Sequence, residues 1–165
     1  MAPLKVGDKF PEDVAFTWVP VTDNDPTVCG MPQDYDASKE WAGKKVVLFS
    51  VPGAFTPGCQ ANHLPPYIKK LSEFKSKGVD IVAVIAFNDA WVMNAWAKVN
   101  GVQGDDILFL SDTKSFFAKN HAWSMGERNG RWAIVIDKDG TIQYAENEPG
   151  RGVTVSGAEA VLSKL

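Results

Sequence analysis

The residues most able to do chemistry lie in one octapeptide, Pro52-Gly53-Ala54-Phe55-Thr56-Pro57-Gly58-Cys59. It joins an apolar run to a helical pattern, the junction at which α/β proteins usually bind ligands. A cysteine at a helix N-terminus meets free backbone N–H groups and the positive end of the helix dipole. Both favour the thiolate and lower the thiol pKa from its free value of about 8.5. Cys59 is therefore a candidate nucleophile, although a free cysteine is equally at home as a small inert core residue. His63 follows four residues later and faces the same side of a helix. The pair admits a Cys-His nucleophile or half of a zinc site.

Neither alternative completes itself. A structural zinc site takes four ligands, and the remaining Cys29 and His121 have no paired ligand spacing. A cysteine hydrolase needs an oxyanion site and a group to orient the histidine. His63 reads better as a packed residue whose imidazole hydrogen-bonds near the site. A disulfide oxidoreductase would need a Cys-x-x-Cys pair, which Gly58-Cys59 lacks, and no proline immediately precedes the Arg131–Asp137 segment. A binding module with an unreactive thiol is the non-enzymatic rival.

The elements that must hold these residues follow from the hydrophobic pattern. Lys45–Val51 is β-branched and apolar and is stopped by Pro52-Gly53, which predicts a buried strand. Leu64, Tyr67, Ile68, Leu71 and Phe74 keep helical spacing up to Gly78, with a kink or restart expected at Pro65-Pro66. Val79–Phe87 is a second strand, Asp89 caps a helix carrying Trp91, Val92, Ala95, Trp96 and Val99, and Ile107–Leu110 is a third strand. A helix through Phe116, Phe117 and Asn120 leads to a hairpin of Arg131–Asp137 and Thr141–Ala145, and Ser156 is placed to cap a last helix. Phe10–Pro20 is expected as an edge hairpin and Val21–Asp36, which holds Cys29, as an exposed loop. This order predicts an α/β protein with a central mixed sheet flanked by helices and an N-terminal extension, the thioredoxin-like layout.

At 165 residues, with 45% apolar composition, the chain is expected to be a single domain spanning 1–165. A net charge of −3 without long Lys/Arg runs argues against nucleic acid as a partner. No apolar run reaches the roughly 18 to 20 residues of a membrane span, and no secretory signal is evident, so a soluble protein with reduced thiols is expected.

Pro52, Thr56 and Cys59, with the Phe-Thr-Pro between them, match the Pro-x-x-x-Thr-x-x-Cys signature, and on it the chain resembles the peroxiredoxins. The resemblance covers nearly the whole chain. It narrows to the type II, peroxiredoxin-5-like branch and its fungal peroxisomal and alkyl hydroperoxide reductase members. His63-Leu64-Pro65, Asn88-Asp89-Ala90 with Ala95-Trp96, and Gly130-Arg131-Trp132-Ala133 support it. It implies that Cys59 is the peroxidatic cysteine, that the Thr56 hydroxyl orients thiolate and peroxide, that Pro52 shields them and that Arg131 steadies both. Without it, Arg131 would read as a solvated charge at a strand start.

The implied reaction reduces hydrogen peroxide and organic hydroperoxides, leaves a sulfenic acid on Cys59 and needs no metal or organic cofactor. Cys29 resembles the resolving cysteine of fungal members, where the bridge joins subunits, while recycling by an external thiol such as glutathione is the alternative. Thioredoxin or glutaredoxin would reduce the disulfide, and a homodimer is implied. Ser163-Lys164-Leu165 is the tripeptide read by the peroxisomal import receptor, which points to the peroxisomal matrix, with a shared cytoplasmic pool compatible.

Overall fold

The structure, a computed structural model, describes residues 2–165. The chain forms β1 (Ala15–Trp18), β2 (Gln33–Asp36), α1 (Ala37–Glu40) and β3 (Val46–Ser50). A π-turn at Cys59–His63 then runs into α2 (Leu64–Lys69) and α3 (Leu71–Ser76). Next come β4 (Ile81–Ala86), α4 (Ala90–Val99), β5 (Leu108–Ser111) and α5 (Phe116–His121). A small ribbon of β6 (Ser124–Met125) and β7 (Arg128–Asn129) precedes β8 (Trp132–Ile136), β9 (Ile142–Asn147) and α6 (Ala158–Leu162).

Seven strands form one sheet in the order β2-β1-β5-β4-β3-β8-β9. β3, β4 and β5 run parallel, and β8, β9, β1 and β2 complete the sheet with antiparallel pairings. Alternation along β3 divides the core in two. Val47 and Phe49 face a layer with Tyr67, Phe74, Trp96 and Val161, whereas Val46 and Leu48 face Phe16, Trp41, Phe117 and Trp132. All five β3 residues are buried, because helices and loops cover both faces of the central strands. Phe49 stacks on Tyr67 at 3.8 Å, pressing α2 onto the sheet directly beside the π-turn.

Most expected elements form, and four details differ. Phe10–Pro20 makes no hairpin of its own. Its strand β1 pairs with β2 on one side and touches β5 on the other, so β2 is the edge strand. Gln33–Asp36 therefore leaves the expected loop for the sheet, although only Tyr35 among its four residues points inward. A single inward residue is too little for an apolar pattern to register; Tyr35 is held there by accepting a 2.9 Å hydrogen bond from Trp41 Nε1. Ser156 does not cap α6. Gly157 holds that position without a side-chain bond, and the Ser156 hydroxyl is taken by Glu148. On α4 the Asp89 cap forms as expected, but Trp91 and Val99 are exposed and Met93, Trp96 and Ala97 carry the buried face. No helix among the described residues is long and apolar enough to cross a membrane.

Candidate active site

β3 delivers the chain to a tight loop at its C-terminal end. Two bonds close this loop: Ala54 N–H donates to Asn88 Oδ1 (2.8 Å), and the Thr56 hydroxyl donates to Gly53 O (2.6 Å). Phe55 takes the left-handed conformation (φ 63°), a strained choice for a non-glycine residue that the two anchors sustain. Gly53 and Gly58 stand where side chains approach the backbone closely. A Cβ on Gly53 would lie 2.9 Å from Arg128 Nη1 and 3.0 Å from Thr56 Cγ2, and one on Gly58 would lie 3.3 Å from Arg131 Nη2.

Helical residues begin at Pro57, where a missing N–H costs nothing, and Gln60 N–H donates to Thr56 O at 2.9 Å. The helix then widens. Leu64 N–H bonds back to Cys59 O, five residues away, instead of four. Pro65 and Pro66 are the reason: in a regular helix their rings would clash with the carbonyls of Ala61 and Asn62, and neither supplies a donor. Such π-turns recur at functional sites. The restart expected at the two prolines is this π-to-α change, followed by a break at Lys70.

Cys59 and His63 are both fully buried. Arg131, just ahead of β8, reaches them with two nitrogens of one planar group. Nη2 donates to Cys59 Sγ at 3.2 Å, and Nη1 meets His63 Nδ1 at 2.9 Å. Arginine only donates, so Nδ1 must accept and the proton must sit on Nε2, which lies 3.0 Å from Ser156 O. Burial, opposed in part by the bond to Ser156, drives the His63 pKa down to about 4, so the imidazole is neutral at pH 7. Tyr67 O–H donates to the same Ser156 carbonyl at 2.6 Å. The arrangement places the Cys59 sulfur beside a guanidinium that also bonds to a neutral histidine of one tautomer.

The expected site residues Pro52, Thr56, Cys59 and Arg131 thus gather around one loop, and His63 touches Arg131 directly. Asn88, Ser156 and Arg128 were not legible as site residues. Arg128 lies over the Phe87 ring (4.7 Å) and donates to Pro52 O (3.4 Å). Asn88 stood in a motif block beside a strand end, a signal that could have marked it. Cys29 is elsewhere, exposed on the loop before β2, which Lys98 Nζ ties down through Asp25 O and Val28 O and Trp91 Nε1 through Gly30 O. Both cysteines are free thiols.

A seven-stranded mixed sheet with a cysteine in the loop-to-helix junction after β3 and an arginine brought onto it from just ahead of β8 fits a thiol enzyme of thioredoxin-like fold. The chain belongs to the Redoxin family, whose model matches residues 5–162, and within it is a type II peroxiredoxin, a thiol-dependent peroxidase that takes a hydroperoxide and a thiol reductant. It is 54% identical to peroxiredoxin Pen c 3 of Penicillium citrinum, over 98% of this chain and 99% of that one. It is 48% identical to peroxiredoxin AHP1 of Chaetomium thermophilum, over 100% and 96%. A relative from Lipomyces kononenkoae, provisionally named a peroxisomal peroxiredoxin, is 42% identical over 96% and 99%. Among solved structures it is similar to reduced Prx3 of Vibrio vulnificus in complex with hydrogen peroxide (TM-score 0.84, 32% identity, 97% and 94% covered). Peroxiredoxin 5 of Alvinella pompejana is also similar (TM-score 0.78, 31% identity, 98% and 97% covered).

Proposed function

We propose that Cys59 is the peroxidatic nucleophile and that Thr56, Pro52 and Arg131 form its site. The Cys59 thiolate attacks one peroxide oxygen in line. An S–O bond forms, the O–O bond breaks, and sulfur is oxidised by two electrons. The proton of the attacked oxygen passes to the leaving oxygen, which departs as water or an alcohol, and the sulfenate left on sulfur takes one proton from solvent to become the sulfenic acid. The observation that carries this reading is the Arg131 fork, one nitrogen on Sγ and the other on His63. It supplies positive charge where the thiolate and the leaving oxygen develop negative charge. The Thr56 hydroxyl, engaged on Gly53 O, can turn to the thiolate and peroxide, since a hydroxyl both donates and accepts. Pro52 bounds the site from the β3 side and His63 holds Arg131.

Cys29 is the proposed resolving residue, condensing with the sulfenic acid to a disulfide and releasing water. Its place on an exposed loop suits a bridge to a second copy of the chain in a homodimer. Cys59 is buried, so the π-turn must open for the two sulfurs to meet. Thioredoxin or glutaredoxin would then reduce the disulfide, or glutathione the sulfenic acid.

The peroxisomal matrix is the proposed location. An ending of Ser163-Lys164-Leu165 occurs by composition in about one chain in a few thousand, and the provisional name of the Lipomyces relative agrees with it. Ser163 and Lys164 are exposed, but Leu165 packs partly against the core, so the last turn must loosen for a receptor to take it.

Replacing Cys59 with serine is the direct test. Peroxide consumption with excess dithiothreitol should vanish while the fold persists, because hydroxyl fills the space of the thiol but forms no thiolate. Retention of most activity would sink the assignment.

A further inference from the structure

Glu148 lies just beyond β9, 8% exposed, and the reading of Cys59 gives it no task. Its carboxylate nevertheless takes four hydrogen bonds. Thr154 Oγ1 donates to Oε1 (2.5 Å), and Thr154 N, Ser156 N and Ser156 Oγ donate to Oε2 (2.8, 2.7 and 2.6 Å). Burial opposes the charge, but these bonds outweigh it and hold the carboxyl below its usual range, so Glu148 is an anion at neutral pH. Charge-assisted bonds of this number fix the turn before α6 in one shape. Glu148 also donates its own N–H to Arg131 O at 2.9 Å. It is therefore bonded to both ends of one chain of contacts, by its amide to the Arg131 backbone and by its carboxylate to Ser156, whose carbonyl accepts the hydrogen bond from His63 Nε2–H.

We propose that Glu148 is a positioning residue for peroxide attack, holding the Ser156 carbonyl where it fixes the Nε2–H tautomer of His63, which in turn keeps Arg131 Nη2 on Cys59 Sγ. This rests on the peroxidase reading of Cys59. The physical link is the tautomer. If the Ser156 carbonyl withdraws, Nε2–H loses its acceptor and the Nδ1–H form competes. That form sets an N–H against an arginine N–H, and the guanidinium must turn away from both His63 and the sulfur.

Two substitutions of Glu148 in the full chain separate this role from a loop staple. Glu148→Gln keeps the shape and one carbonyl acceptor, and the Thr154 hydroxyl can reverse to accept from the amide. It should stay within about threefold of wild type in the second-order rate of Cys59 oxidation by hydrogen peroxide. Glu148→Leu should slow that step about ten- to hundredfold, the range of a lost charged hydrogen bond. Nitrogen-15 NMR of the imidazoles gives a readout that a staple would not move. Wild type and Glu148→Gln should show protonated Nε2 and bare Nδ1 at His63, and Glu148→Leu a mixture; of the two histidines, His121 is removed as His121→Asn to leave one signal set. If Glu148→Leu does not fold, the pair Thr154→Val and Ser156→Ala, which deletes the two hydroxyl donors, should show the same mixing and an intermediate rate. A folded variant with wild-type tautomer and rate overturns the role of Glu148. Wild-type protein that keeps its Cys59 thiol on peroxide addition instead refutes the peroxidase reading itself.

Discussion

Arg131→Lys conserves charge but cannot keep both contacts of the guanidinium, so it should slow the first step or weaken the fold. In the native site one planar group meets two partners, Cys59 Sγ at 3.2 Å and His63 Nδ1 at 2.9 Å. A lysine ammonium is a single point and can satisfy one of them. If it goes to His63, the sulfur loses a charge-assisted bond worth about 1.5–3 kcal/mol, which is a slowing of about ten- to hundredfold. If it goes to the sulfur, Nδ1 is left buried and unpaired, at a cost of about 1–3 kcal/mol in stability, and the imidazole no longer restrains the cation. The two outcomes differ in where the loss shows, so both quantities should be measured. Stopped-flow fluorescence gives the rate of oxidation by hydrogen peroxide; Trp96 makes a natural reporter, since its Nε1 donates to the side chain of Gln60, the neighbour of Cys59. Urea unfolding gives the stability. Equal second-order rates together with equal stability would refute the reasoning and demote Arg131 to a surface charge.

Cys29→Ser should leave the first oxidation of Cys59 fast but abolish disulfide-linked dimers on a non-reducing gel and slow thioredoxin-driven turnover; the same covalent dimer in the mutant would remove Cys29 from the cycle. Acid should expose His63: its folded pKa of about 4 lies below the ordinary 6.5, so the unfolded chain binds the extra proton first. Stability held above pH 6.5 is therefore lost as pH falls toward 4, by up to about 3 kcal/mol. Arg131 bonds to the ring, Tyr67 packs beside it and the Glu148 charge acts on it from behind Ser156, so the comparison is with His63→Gln, whose unfolding by denaturant should lose less stability between pH 7 and pH 4.5; identical losses would contradict the buried neutral imidazole. A fluorescent protein fused ahead of Met1 should give punctate peroxisomal signal that turns diffuse when Ser163–Leu165 are removed, and diffuse signal from the intact chain would refute the address.

The apolar runs at Lys45–Val51 and Val79–Phe87 and the helical spacing after Cys59 determine the central strands and the crossover between them, because buried parallel strands are read from continuous β-branched stretches alone. The Pro52 to Cys59 octapeptide likewise marks the loop and its cysteine as the candidate site through its resemblance to the peroxiredoxin signature, since Cys59 by position alone could equally be an inert core residue. The partners of β1 and the tautomer of His63 were not legible in the same way. β2 carries one inward residue, and its membership of the sheet depends on a backbone ladder that no side-chain pattern records. Arg131 and Glu148 stand 72 and 89 positions beyond Cys59, and their types are those of ordinary solvated charges. Only folding, which lays β8 against β3 and returns the turn before α6 over the π-turn, sets the guanidinium on the sulfur and the carboxylate behind the histidine. Local conformation is written in nearest neighbours along the chain, whereas the charge environment of a buried sulfur is made by groups whose separation in sequence carries no trace of their contact.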